Sequence, residues 1–317
     1  MRDEPPPLPT YTAPELAEIV GLSETDTRRF FRALGFPDSG NEIRYTQNDR
    51  MVLESVAKAL ECTDLDMATA VRLVRAVGQN VARMSDWQVA ALASRAEELG
   101  TDEPAGFSVT RREGAQRIAD EVCDALQQVL VHSWQRHLDA ALTRLDVGPE
   151  VEDLEQSTSV TVGFADLVNF SALSNEMDSD RLGELVEIFE ARCGDVVAAH
   201  EGRMIKTIGD SVLFVADEPE RAMDIAQGLI DVIGGDSRLP DVRIGLATGL
   251  VVTRLGDVFG PPVNLAARLT ALARRNRVLV DDATVAVLSP ADYESRRLTA
   301  RPLRGFGLVE PVAVRRR

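Results

Sequence analysis

Two aspartates carry the clearest chemical signal in this chain of 317 residues. Asp166 ends the alternating apolar run Val160, Val162, Phe164, and Asp210 sits in Gly209-Asp210-Ser211 between two short apolar runs. The first pattern predicts a β-strand with its carboxylate at the end; the second predicts a hairpin turn. Where a strand end and a turn are neighbours, their carboxylates converge. Two such hard oxygen ligands suit a pair of Mg²⁺ or Mn²⁺ ions that also hold phosphate oxygens. Either aspartate alone would read as a solvated cap, so the weight lies on the pair.

A second cluster runs from Gly256-Asp257 through Pro261-Pro262 to Asn264 and Arg268. The prolines open a helix, and residues four apart share a face, so Asn264 and Arg268 point the same way. An arginine fork suits the charge that builds on a pentavalent phosphorus, and an asparagine can orient a ribose. The chain contains only two lysines, Lys58 and Lys206, and Lys206 falls inside a predicted strand just before Asp210.

These residues, in this order, resemble the catalytic domain of class III nucleotidyl cyclases over about residues 157–317. All six signature positions of that family can be placed. The resemblance implies metal binding by Asp166 and Asp210, base selection by Lys206 and Asp257, ribose orientation by Asn264 and transition-state stabilisation by Arg268. It further implies triphosphate binding by Arg304 in Pro302-Leu303-Arg304-Gly305, where lysine is common in the family. Arg254 is a weaker phosphate candidate, because the hairpin before Asp257 is short. A lysine donor with an aspartate acceptor complements adenine and mismatches guanine, which makes ATP the expected substrate and 3′,5′-cyclic AMP the product. In the family, one domain of a pair supplies the carboxylates and the other supplies the remaining groups. A single copy of each element therefore implies a head-to-tail homodimer.

The elements that must position these groups follow from periodicity. Strands are predicted at 160–166, 203–208, 212–216, 242–247, 277–280 and 309–314, and helices at 182–199, 218–233 and 263–273. Their order, β-α-β-β-α-β, is that of a ferredoxin-like sheet with helices on one face, in an α+β protein. Residues 107–155 read as one long linker helix, with apolar residues from Ile118 to Trp134 spaced by three and four. That stripe packs either on its own domain or on a second chain.

Residues 1–106 read as an all-helical domain, with helices near 15–20, 23–34, 46–60, 65–84 and 86–99. Its start resembles a helix-turn-helix of the MerR kind, in which Arg28, Arg29 and Arg32 would read DNA. Residues 1–105, however, hold 11 basic and 18 acidic side chains, the wrong balance for phosphate backbones. The stretch from Ala33 to Val89 instead resembles the regulatory domain ahead of certain bacterial cyclases, which implies autoinhibition, in some members relieved by acid. His132 and His137 on the linker helix are the candidate pH-sensing groups. A small apolar ligand of this domain stays open. So does the alternative of a DNA-binding or nucleotide-sensing regulator with a weak cyclase-like domain.

The whole chain agrees with this reading. A net charge of −16 disfavours nucleic acid and anionic membranes as partners, so polyphosphate must be held by metal ions and a few placed cations. No run approaches a membrane span, and the acidic, proline-rich start does not read as a signal peptide. Cys62, Cys123 and Cys193 lie too far apart to suggest a disulfide or a metal site, so a cytoplasmic location is expected.

Overall fold

The computed structural model describes residues 8–38, 40–100, 110–145, 157–254 and 256–317. The chain forms two compact units, Met1–Val147 and Gly148–Arg317. The expected boundary segment 101–106 and the junction at 155–156 lie outside the described residues.

In the first unit, α1 (Ala13–Val20) and α2 (Glu24–Ala33) form a tight pair. Thr12 and Glu15 make a reciprocal capping box at the start of α1, Gly21 ends it in the left-handed region (φ 75°), and Ser23 caps α2. Helix α3 (Gln47–Cys62) opens on a second capping box, Thr46 with Asp49. The core between these helices is Leu16, Phe30, Phe31, Tyr45 and Leu53. Arg28, the most buried of the three arginines that a DNA reader would use, is bound by Glu24 (2.7 Å), Asp38 (2.8 Å) and Asn41 (3.0 Å).

The two helices expected at 65–84 and 86–99 are one helix, α4 (Met67–Gly100). Ser85 and Asp86 are tolerated inside it because both project from an exposed stretch and no glycine or proline interrupts the turn there. Helix α5 (Arg111–Leu145) packs its first turns on α4: Ala115 is buried, and Arg111 reaches Glu97 at 2.9 Å. A Cβ on Gly114 would meet that of Ala96 at 2.8 Å. Further along α5, Val129, Trp134 and Leu142 are exposed. His132 and His137 lie on the same exposed stretch.

The second unit is a mixed sheet carrying helices. Its first part is β1 (Ser157–Leu167), short α6 (Phe170–Ser174), α7 (Ser179–Ala199), β2 (Arg203–Ile208), β3 (Ser211–Ala216), α8 (Pro219–Gly235) and β4 (Val242–Arg254). The remainder is β5 (Asp257–Phe259), α9 (Pro261–Leu272), β6 (Val278–Val280), α10 (Asp282–Val287), β7 (Tyr293–Arg297), β8 (Arg301–Leu303), β9 (Gly307–Val309) and β10 (Val312–Arg316). The main sheet runs β2-β3-β1-β4-β6-β10-β7, with β5 on β4, while β8 and β9 form a separate hairpin. Its first four strands keep the ferredoxin-like order. The strand expected at 309–314 is split between β9 and β10, because Glu310-Pro311 interrupts it.

The expectation of helices on one face is corrected. On β1 and β3 both faces are apolar: Ala165, Leu167, Val212 and Phe214 pack with α7 and α8, whereas Val160, Val162, Leu213 and Val215 pack with Ala266 of α9. Helix α9 therefore lies on the opposite face from α7 and α8. Strands apolar on both faces need covering on both. Gly245 lets α9 approach β4 closely, since a Cβ there would meet the Thr270 nitrogen at 2.4 Å.

Candidate active site

Asp166 and Asp210 meet at one corner of the sheet. Asp166 is the Cα partner of Ser211 on β3 and of Arg243 on β4. The turn residue Asp210 is tied to the same strand by a hydrogen bond from the Leu167 amide to its carbonyl, 3.0 Å. Gly209 makes that turn possible, at φ 63°. The Ser211 hydroxyl donates to Asp166 Oδ1. Arg243 donates to Asp166 Oδ2 from Nε at 2.7 Å and lies 2.6 Å away through Nη2. Burial raises Asp210 above the usual aspartate range, and the charge of Asp166 adds to the effect. The two partly buried carboxylates form a corner where a cation would relieve the cost of charging Asp210. Their oxygen chemistry fits Mg²⁺ or Mn²⁺, which commonly takes one or two carboxylates and completes its shell with substrate phosphates and water. Among the described residues, no group of three or more His, Cys, Asp or Glu side chains is arranged around a metal.

Lys206 and Asp257 also meet. Lys206 is the Cα partner of Leu213, whose side chain lies in the α9-side core, so the lysine is on that face. A register shift between Met204 and Lys206 precedes it. Its ammonium pairs with Asp257 Oδ2, while the Val258 amide donates to Asp257 Oδ1 at 2.9 Å. Both remain about a third exposed, at 35% and 28% of their side chains.

Asn264 and Arg268 project from the exposed side of α9. Arg304 lies in the turn between β8 and β9, also exposed. Among the described residues the side chains of all three have no hydrogen-bond or ion-pair partner. Arg254 is exposed at the end of β4, opposite Asp257. The structure thus brings the six signature residues together as two pairs and one helix face.

Sequence reasoning missed Arg243 and Ser211. Arg243 had a signal: it is the one charged residue in Val242-Arg243-Ile244-Gly245-Leu246-Ala247, a run otherwise fit for a buried strand. Such a charge needs a partner, and the register supplies Asp166.

The sheet order, with one carboxylate at the end of β1 and the other in the β2–β3 turn, defines the class as an α+β domain built on a ferredoxin-like sheet. The comparisons agree. A family model described as "Adenylate and Guanylate cyclase catalytic domain" matches residues 152–313, and the chain belongs to that family. It is 37% identical over 335 aligned residues to an adenylate cyclase of Streptomyces coelicolor, covering 97% of this chain and 86% of that protein. It is 38% identical over 273 residues to an adenylate cyclase of Streptomyces griseus, covering 86% and 67%. A protein of Mycobacterium tuberculosis described as a pH-sensitive adenylate cyclase is 29% identical over 292 residues, covering 89% and 71%. The class III resemblance is borne out at the level of the family. Among the described residues no helix is long and apolar enough to cross a membrane.

Proposed function

We propose that this protein converts ATP to 3′,5′-cyclic AMP and pyrophosphate at sites shared between two copies of the chain. The observation that carries the substrate choice is the Lys206–Asp257 pair. Each partner offers the other what adenine would offer: Lys206 gives a donor for the N1 acceptor, and Asp257 gives an acceptor for the N6 donor. Guanine, with a donor at N1 and an acceptor at O6, would leave both unpaired.

Asp166 and Asp210 are the groups that would hold Mg²⁺ or Mn²⁺, two ions per site. When bound, such ions lower the pKa of the attacking 3′-hydroxyl and neutralise charge on the phosphates. Asn264 would orient the ribose so that its 3′-oxygen faces the α-phosphorus. Bond formation from that oxygen to phosphorus, loss of its proton and departure of pyrophosphate complete the cyclisation. Arg268 would stabilise the charge on the equatorial oxygens, and Arg304 would hold the outgoing phosphates. Site sharing is supported by Asn264, Arg268 and Arg304 all standing exposed and unpartnered within one chain. The regulator alternative is less favoured, because Arg28 is already engaged by two carboxylates in the helical unit.

We assign residues 1–106 a regulatory role, 107–155 a connecting one and 156–317 the catalysis. Complementation tests the central arrangement. Asp166→Ala and Arg268→Ala chains, each inactive alone, should regain up to a quarter of wild-type cyclase activity when mixed, because random pairing gives half heterodimers with one intact site each. Heterodimers that form yet make no cyclic AMP would refute the shared site.

A further inference from the structure

A concavity of about 880 Å³ lies in the second unit between the end of α9, the edge strand β7 and its neighbour β10, and its walls are strongly basic. Six arginines line it, Arg274, Arg275, Arg277, Arg296, Arg301 and Arg315, against one carboxylate, Glu294. Neither the two metal-site aspartates nor Asn264, Arg268 or Arg304 lines it.

The balance is unusual for this chain. The whole molecule carries −16, yet here cations outnumber the carboxylates that pair with them. Arg315 is held by Glu294 at 2.6 Å, and Arg275 leans toward Asp241 at 3.7 Å. Among the described residues the guanidinium groups of Arg274, Arg277, Arg296 and Arg301 have no hydrogen-bond or ion-pair partner. Like charges around one hollow repel one another, and an anion bound between them removes that repulsion. The floor is apolar, formed by Leu279, Leu298 and Ala313, which also belong to a small core cluster beneath α9.

We propose that this cleft binds a small anion bearing two or more phosphate groups. Guanidinium forks match phosphate oxygens in pairs, and several of them around a hollow suit more than one phosphate. The volume lies in the range of small-molecule pockets, roughly 300–1,000 Å³. A long nucleic-acid backbone is opposed by the net charge of the chain. The apolar floor leaves room for an organic body on the phosphates. Leu272, which lines the cleft, stands one helical turn from Arg268 on α9, so occupancy would be felt by the helix that carries Asn264 and Arg268.

The test is calorimetric titration of the full-length protein with inorganic tripolyphosphate and, separately, ADP, in EDTA so that no divalent ion recruits the aspartates. Tripolyphosphate should bind, with affinity falling as salt rises. The double variant Arg277→Ala/Arg296→Ala should lose at least tenfold in affinity, and Arg277→Lys/Arg296→Lys should lose less. Arg304→Ala should stay within twofold of wild type, which separates this cleft from the phosphate-holding group of the cyclase site. Tighter binding of ADP would assign an organic phosphate; tighter tripolyphosphate would assign an inorganic one. No binding to wild type, or binding lost with Arg304→Ala and kept in the double alanine variant, would overturn the proposal. Both arginines are exposed, and an unchanged thermal melt confirms that each variant is folded.

Discussion

Lys206 and Asp257, 51 residues apart in sequence, form an ion pair that joins β2 to β5. The pair keeps each group satisfied without ligand, and under the proposed function an incoming adenine would exchange with it. Asp257→Ala leaves the lysine and the adenine amino group without an acceptor, a loss of about 1–3 kcal/mol. The kcat/KM for ATP should therefore fall roughly 5- to 150-fold, whereas that for GTP should change little. Steady-state rates with both nucleotides measure this.

Arg243 is a cation already on the Asp166 carboxylate, so under the proposed function it would compete with metal for that group. Arg243→Gln removes the competitor. Mn²⁺ should then bind more tightly, by about threefold to tenfold for an interaction on the order of 1 kcal/mol in this partly exposed corner. Titration followed by the Mn²⁺ spin-resonance signal reads it directly. Weaker binding in the variant would instead make Arg243 the residue that holds Asp166 in place for the ion.

Gly245→Ala should separate α9 from β4. The added methyl would meet the Thr270 nitrogen at 2.4 Å and the Ala266 carbonyl oxygen at 2.5 Å, both backbone atoms that cannot swing aside. Overpacking of this kind costs about 1–3 kcal/mol. Denaturant melts should show that loss, and kcat should fall as well, since α9 carries Asn264 and Arg268.

The thiols should divide by burial. Burial raises the Cys193 thiol well above its ordinary range, with the charge of Glu190 adding to it, whereas Cys62 is exposed. A disulfide reagent at pH 8 should modify Cys62 in the native protein and reach Cys193 only in denaturant. Cys62→Ser should remove a native-state fast phase.

Acid should weaken the helical unit through its caps. Glu15 and Glu113 are held below the usual glutamate range by the amides of Thr12 and Thr110, and Asp66 below the aspartate range by that of Thr69. A lowered folded pKa gives stability that is full above the unfolded value, about 4, and lost as pH falls through the folded one. Helical circular dichroism melts should be flat from pH 8 to 6 and fall in temperature below about pH 4.5. A response of activity near pH 6.5 would have to come from elsewhere. His132→Ala/His137→Ala should blunt it if α5 transmits the signal, and an unchanged profile would remove both histidines from the account.

Much of the site was legible because its residues break local patterns. A lysine in a strand of an arginine-rich chain, an aspartate closing an apolar alternation and a Gly-Asp-Ser turn each stand out without any partner in view. The central strands were legible for the same reason, since their alternation is regular. What escaped depends on contacts between distant segments. The Asp166–Arg243 pair spans 77 residues and exists only through the β1–β4 register. The second face of the sheet escaped too, because Leu213 and Val215 look like continuous strand hydrophobics until α9 is placed over them. Helix α4 runs through Ser85-Asp86 because that stretch is exposed and carries no glycine or proline, so nothing there forces the break that a polar pair suggests in the sequence.

The most direct test is to incubate the purified full-length protein with ATP or GTP and Mn²⁺ and to identify the product by mass. The account predicts 3′,5′-cyclic AMP and pyrophosphate from ATP, little or no cyclic GMP from GTP, and no product from Asp166→Ala or Asp210→Ala. Cyclic GMP as the main product, or no cyclic nucleotide at any pH, would contradict it.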